Sequence, residues 1–398
     1  MKINKSILAA ALCLGLAGSS YAQSFVYLTG STAMRGTMFN VLAATNVIFN
    51  GAPAITADSS TVAGANGATH MVFAGTLRGG SGTTVITTSW SGSEAGILAV
   101  ASNTVSAYNG TYIISGYNTV SNTTATYSGS VTGEPADLAM ADNDVTYSRT
   151  PNGNYGPESE VGIVTFKWVR NNGVWTGANT NVTDSAIQQA LSGGTPLASF
   201  TGNAADTSWV FVSGRDNLSG TRVNALAESG YGIFTPVEQC LLSGGVMQNL
   251  GANGDSAYKK YLGGSGSTSG GSLAGSLSAS TVSSTNPVYG GNGFSVIAYL
   301  GYNDAYTAIT NAATELAFNG VGYSPANIRE GLYTFWGNEY VVEAATVVSG
   351  SAADTVYNAI AANTPSFCYP TGSSNPNGID LTWMHCTRTG PLSPPSHN

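Results

Sequence analysis

Charge is what this chain has least of. Its 398 residues carry 13 Lys and Arg against 21 Asp and Glu, so only 9% are charged and the formal net charge is −8. Ordinary globular proteins carry roughly 25% charged residues. Ser, Thr, Asn and Gly must therefore provide the polar surface, as is common in exported proteins. An acidic chain with so few bases and no basic patch is excluded from wrapping nucleic acid, which is held mainly by neutralising its phosphates. Any anion must be held by local dipoles and one or two arginines. Histidine is scarce as well: His70, His385 and His397 stand singly, without metal-ligand spacing. No metal site, no cofactor site, no Ser/His/Asp set and no Cys/His dyad is legible, which argues against an enzyme such as a phosphate-ester hydrolase. After the first 22 residues no apolar run is long enough to span a membrane, so membrane insertion is not expected.

The amino terminus has its own signature. In "MKINKSILAAALCLGLAGSSYAQ", Lys2 and Lys5 precede an apolar run, and Ser20-Tyr21-Ala22 offers small residues where a signal peptidase reads. The segment is expected to be a signal peptide cleaved near Ala22, which puts the mature chain in the periplasm or outside the cell. Cys13 lies inside the apolar run and is not a lipid-attachment cysteine. Of Cys240, Cys368 and Cys386, the last two are the more plausible disulfide pair, and Cys240 is expected to be buried.

Strand-like and helix-like runs alternate along the chain. "SFVYLTG" (24–30) leads into "AMRGTMFNVLAAT" (33–45), and "TTVITTSW" (83–90) into "AGILAVASN" (95–103). "DLAMAD" (137–142) reads as a short buried strand and "EVGIVTFKWVRN" (160–171) as a long one. "TDSAIQQALSG" (183–193) is a helix with Thr183 or Asp184 at its start and Gly193 beyond its end, and "SWVFVSG" then precedes "TRVNALAESG". The pattern predicts an α/β protein with largely parallel sheets. Residues 103–134 read as an inserted hairpin or decorated loop, residues 262–287 as a low-complexity exposed loop, and "TGPLSPPSHN" as a frayed tail.

One stretch concentrates the chemistry. In "VFVSGRDNLSGTRVNALAESG" (210–230) an apolar strand runs into Arg215, then into Ser219-Gly220-Thr221 at the mouth of a helix. A hydroxyl there caps the helix, and the free amides with the positive dipole end form a ready anion site. Arg215 could add an always-charged fork. In a chain this rich in Ser, Thr and Gly the tripeptide can equally be a plain cap. "LRGGSGTTVITTSW" shows the contrast: Arg78 and Ser81-Gly82-Thr83 run on into a β-branched strand and offer no helix terminus. Two more small hydroxyl-bearing turns, Gly30-Ser31-Thr32 and Gly92-Ser93, each close a strand and open a helix. Each terminus favours a negative charge by roughly 0.3–1 kcal/mol, so three converging with one arginine could hold a doubly charged anion.

This constellation resembles the periplasmic phosphate-binding proteins that serve ABC-type phosphate transporters. The similar elements are Ser31-Thr32-Ala33, then Gly92-Ser93-Glu94-Ala95-Gly96, then Ala141-Asp142, and Arg215 with Ser219-Gly220-Thr221. "DSAIQQALSGGTPLASFTG", "VIAYLGYNDAY" and "IREGLYTFWGNEYVVEA" resemble flanking stretches and the second hinge crossing. The resemblance implies a two-lobed α/β binding protein with two mixed sheets, flanked by helices and joined by a two-strand hinge, which closes on phosphate. It implies a first lobe of residues 23–162 and 333–398 and a second of 163–332. The implied phosphate ligands are Thr32, Ala33, Ser93, Asp142, Arg215, Ser219, Gly220 and Thr221, with an ABC permease as partner and a monomeric state. Asp142 would accept the P–OH hydrogen bond that sulfate lacks, and rejection by an unpaired buried group can reach about 10⁴–10⁵. By itself Asp142 reads as a turn or cap residue in "ADNDVT". The separation of Ser93 from Asp142 is long for the family, which leaves Asp144 as a substitute. Glu94, in the first turn of the second helix, is expected to face solvent. The alternative function is an exported surface, adhesion or matrix protein that retains the fold without transport.

Overall fold

The computed structural model describes residues 23–57, 64–102, 111–114, 131–171, 174–175, 177, 179–240, 242–243, 246–247, 266–278, 294–368, 378–390 and 393–397. The signal segment thus lies outside the described residues. No helix among those described is long and apolar enough to cross a membrane.

Strand β1 (Ser24–Gly30) feeds helix α1 (Arg35–Ala43), and strands β2 (Ala54–Ala57), β3 (His70–Gly75) and β4 (Thr84–Ser89) follow. Helix α2 (Ser93–Ser102) and the short strand β5 (Leu138–Ala141) come next, then the long strand β6 (Tyr155–Arg170). Beyond it lie α3 (Asp184–Leu191), β7 (Trp209–Val212), α4 (Gly220–Glu228), α5 (Gly270–Ser278), β8 (Phe294–Gly301), α6 (Tyr302–Thr310), β9 (Thr314–Phe318), β10 (Trp336–Ala344) and α7 (Ala352–Asn363). Each strand-then-helix unit read in the sequence is present.

The sheet is mixed rather than largely parallel. β1 pairs in parallel with β4 and with β5, and β7 in parallel with β8. The β2–β3, β3–β4, β5–β10, β6–β10, β6–β8 and β6–β9 pairs are antiparallel. The two expected sheets run into each other along β6. Its earlier residues pair with β10 (Trp336 opposite Thr165), and its last residues pair with β8 and β9 (Arg170 opposite Ile297 and Thr314). A strand 16 residues long, roughly 50 Å at 3.3 Å per residue, is long enough to serve both halves. The apolar core follows, with Val161, Ile163, Phe166 and Trp168 of β6 buried beside Phe335, Trp336 and Val341. Trp168 and Phe335 stack at 5.7 Å between centroids.

Three expectations are corrected. Part of the low-complexity stretch is α5, which buries Leu273, Ala274 and Leu277 against Phe211, Phe294 and Val296; the spacing i, i+1, i+4 makes one apolar face that the Ser/Gly composition conceals. Residues 262–265 and 279–287 lie outside the described residues. The tail is not frayed where it is described: Cys386–Thr387 pairs antiparallel with Ser396–His397. Cys368 and Cys386 do not form a disulfide but are free, buried thiols. Cys368 donates to the Val161 and Thr364 carbonyls, while Cys386 faces the Ile328 carbonyl. Cys240 is buried as expected, and burial pushes its thiol up to about 12. Of the 103–134 segment, Thr111–Ile114 and Val131–Glu134 pair antiparallel as a hairpin, the rest lying outside the described residues.

Candidate functional site

The turns singled out in the sequence do meet. Ser31, just beyond β1, has its hydroxyl at the amino end of α1, where it accepts from the Met34 amide at 3.2 Å and donates to the Asp142 carboxylate. Ser93, at the start of α2, accepts the Asp142 amide at 3.1 Å. From the other half of the sheet, Ser219 caps α4 by accepting the Arg222 amide at 3.3 Å. Gly220 then presses directly on the first group. A Cβ at Gly220 would fall 2.4 Å from Ser93 Oγ and 2.9 Å from the Asp142 Cβ, so only glycine fits. Asn224, one turn on, donates to the carbonyls of Asp142 at 2.9 Å and Gly220 at 3.0 Å. Asp144 stands apart as a local cap, accepting the Thr146 amide at 2.6 Å.

Several donors at this meeting already have protein partners. The amides of Glu94 and Ala95 donate to the Leu218 carbonyl at 3.1 and 3.4 Å, so the first turn of α2 is filled from the opposite half. Arg215 is only 2% exposed, and its Nε and Nη2 donate to the Ser267 and Thr268 carbonyls at 3.1 and 3.2 Å. Its backbone is pinned too, the amide donating to the Tyr299 hydroxyl at 3.2 Å and the carbonyl accepting from Gln239 at 3.0 Å.

Glu94 does not face solvent. It is 3% exposed, with Asn143 Nδ2 donating to Oε1 at 2.8 Å and the Arg149 amide to Oε2 at 2.7 Å. Burial outweighs these donors and pushes its carboxyl up to about 7. Glu339 is a carboxyl the sequence reading missed. It sits on β10 where the register with β6 shifts, fully buried, and makes no hydrogen bond of ordinary geometry. A bulge re-aims a side chain in this way. Burial, and then the neighbouring Asp142, hold its carboxyl well above the usual range.

A cleft of about 290 Å³ opens beside Ser31. Thr32, Ala33 and Arg35 line it from the first half, Thr165 of β6 forms part of its floor, and Gly270 with Gly301–Asp304 lines the other side. Asp304, in the first turn of α6, lies against the amino end of α5. A Cβ on Gly270 would fall 1.9 Å from Asp304 Oδ2, so the glycine admits the carboxylate. Burial raises the Asp304 carboxyl, and Arg215 and then Arg35 draw it back down. Both arginines thus act on one carboxylate, Arg35 from the cleft wall and Arg215 from its buried place against the Ser267 and Thr268 carbonyls. Arg35 and Asp304 were not singled out in the sequence. Their only signal was the rarity of charge: Arg35 stands three residues after Thr32, and Asp304 lies within the quoted "VIAYLGYNDAY".

No protein-family model matches the chain, and no curated protein matches it in sequence. Solved structures are similar over most of the chain. A protein from Clostridium perfringens with bound phosphate, described as a phosphate ABC transporter substrate-binding protein, is 12% identical, covers 85% of this chain and 93% of its own, and has a TM-score of 0.44. An ABC-type phosphate transport receptor from Vibrio cholerae is 10% identical over 84% of this chain and 93% of its own, with a TM-score of 0.42. A human phosphate binding apolipoprotein is 12% identical over 93% and 96%, with a TM-score of 0.43.

Proposed function

We propose that this protein is a non-catalytic, exported solute-binding protein that captures hydrogen phosphate between the two halves of its sheet. The observation that carries the reading is the meeting of the Ser31, Ser93 and Ser219–Gly220 turns around Asp142, beside a cleft that Thr32, Ala33 and Arg35 line. The Arg35 guanidinium at that cleft offers an oxyanion charge-assisted hydrogen bonds. Thr32 and Ala33 lie in the cleft itself, Ser93, Asp142, Ser219 and Gly220 gather behind the Ser31 turn beside it, and Thr221 follows in the first turn of α4. In this reading residues 23–162 and 333–398 act as one lobe and 163–332 as the other, with β6 and β10 as the crossing strands. The chain works as a periplasmic or secreted monomer and hands its ligand to an ABC permease.

A second reading has its own observation. The α2 amides bonded to Leu218, and Arg215 bonded to Ser267 and Thr268, are donors already satisfied within the protein. This favours a surface or matrix protein that kept the fold and lost the ligand. Equilibrium titration of the mature protein with phosphate and with sulfate separates the two. The receptor reading expects saturable phosphate binding that Arg35→Ala and Arg215→Ala each weaken at least tenfold. Absence of phosphate binding, or unchanged affinity in both variants, leaves the second reading standing.

A further inference from the structure

We infer that the ligand is a phosphomonoester of a small hydroxylated carbon skeleton, glycerol-sized to pentose-sized, whose organic part occupies the cleft beside Ser31. The inference rests on the oxyanion reading and specifies its substrate class. Size is the first argument. The cleft holds about 290 Å³, whereas a water in the liquid takes roughly 30 Å³ and a tetrahedral oxyanion has only five heavy atoms. Bare phosphate would leave most of the space to solvent.

The chemistry of the walls is the second argument. An ionised phosphate oxygen accepts hydrogen bonds and offers none, so a cleft built for it alone needs donors. These walls present acceptors in equal measure: the hydroxyls of Thr32 and Thr165, the amides of Asn66 and Asn303, and the Asp304 carboxylate. Carbon-bound hydroxyl groups both donate and accept, and they match such a lining. Arg35 and Asp304 bring one charge of each sign to the cleft, so a neutral body fits better there than a second anion. Tyr302 adds an aromatic wall, its ring 5.3 Å from that of Tyr323, against which the C–H face of a short carbon chain can lie. The phosphoryl end then points to Arg35 and the Thr32 turn, and the hydroxyls to the rim at Asn66.

Calorimetric titration of the mature protein with inorganic phosphate, glycerol 3-phosphate, ribose 5-phosphate and unphosphorylated ribose tests this. The expected result is at least one ester binding tenfold or more tighter than phosphate, with ribose alone failing to bind. Asn66→Ala and Asn303→Ala, both at solvent-accessible positions, should shrink that ratio toward one. Phosphate binding as tightly as every ester overturns the inference and leaves the phosphate reading intact. An ester preference untouched by both variants overturns it too, because the organic part would then lie elsewhere. If neither phosphate nor any ester binds, the oxyanion reading falls and takes the inference with it.

Discussion

Leu218 presents its carbonyl to the amide of Glu94 at 3.1 Å, joining the turn before α4 to the first turn of α2 across the two halves of the sheet. The contact depends on close backbone approach at Gly220, whose missing side chain leaves room for Ser93 and Asp142. Gly220→Val should therefore force the two halves apart. Overpacking of this kind costs typically 1–3 kcal/mol. The measurable outcomes are a lower thermal midpoint and a larger radius of gyration by small-angle scattering. A variant with the dimensions and midpoint of the parent would show that this contact does not hold the closed arrangement.

Asp142 accepts from the Ser31 hydroxyl and lies beside the buried Glu339. If it reads the proton on phosphate, Asp142→Asn should weaken phosphate binding and strengthen sulfate binding, shrinking the ratio of the two affinities by tenfold or more. Competition titrations with both anions measure that ratio. A ratio that stays put assigns Asp142 a structural part only, through its amide bond to Ser93 and its carbonyl bond from Asn224.

Glu94 links stability to pH. Its carboxyl is raised from 4.5 to about 7 by burial, so between those values the folded protein holds a proton that the unfolded chain has released. Protonation thus stabilises the fold below about pH 4.5, and the contribution is lost as pH rises through about 7. At about 1.36 kcal/mol per pH unit the full swing is on the order of 3–4 kcal/mol. Glu158, also raised to about 7 by burial, acts with the same sign. Urea unfolding of Glu94→Gln from pH 4.5 to 7.5 should show a flatter stability profile than the parent. An equally steep profile would mean that Glu94 does not carry the effect.

The thiols should be inert in the native protein. Cys240, Cys368 and Cys386 are buried and unbridged, and burial raises Cys240 and Cys368 to about 12, far from the reactive thiolate. A thiol reagent without reductant should leave all three unmodified in buffer and modify all three in denaturant. Only one reactive site in denaturant would mean that Cys368 and Cys386 are oxidised to a disulfide.

What was legible in the sequence was local. The 24–30 and 84–89 strands, the capped α3 and the Ser219 cap of α4 are set by short-range patterning and turn chemistry, and they stand where the pattern put them. What escaped was tertiary. Nothing near Glu94 in sequence announces that Asn143 and the Arg149 amide will bury it. Arg215 reads as a ligand fork until Ser267 and Thr268 supply carbonyls from 52 and 53 residues away. Helix α5 was hidden because Gly and Ser dominate its composition, although Leu273 and Leu277 already lie on one helical face.

The tail hides the same kind of long-range contact. Arg388 bridges to Glu228 of α4 at 2.6 Å, with the two side chains 4% and 13% exposed, and its guanidinium lies 4.3 Å from the centre of the Trp336 ring on β10. Its Nη2 also donates to the Thr334 carbonyl. One residue near the carboxyl end thereby ties α4 to the crossing strand. Removing one member of a buried pair leaves the other charge uncompensated, at a cost of about 3–5 kcal/mol. Arg388→Ala should fall near the lower limit, because Glu228 keeps some access to water. Arg388→Lys retains the charge but loses the planar fork that reaches both Glu228 oxygens, so it should lie between parent and alanine variant. The double variant Arg388→Met, Glu228→Leu removes both charges and should recover most of the loss. Urea midpoints of the four proteins measure this order. A double variant as unstable as Arg388→Ala would shift the contribution of residue 388 from charge pairing to its packing on Trp336.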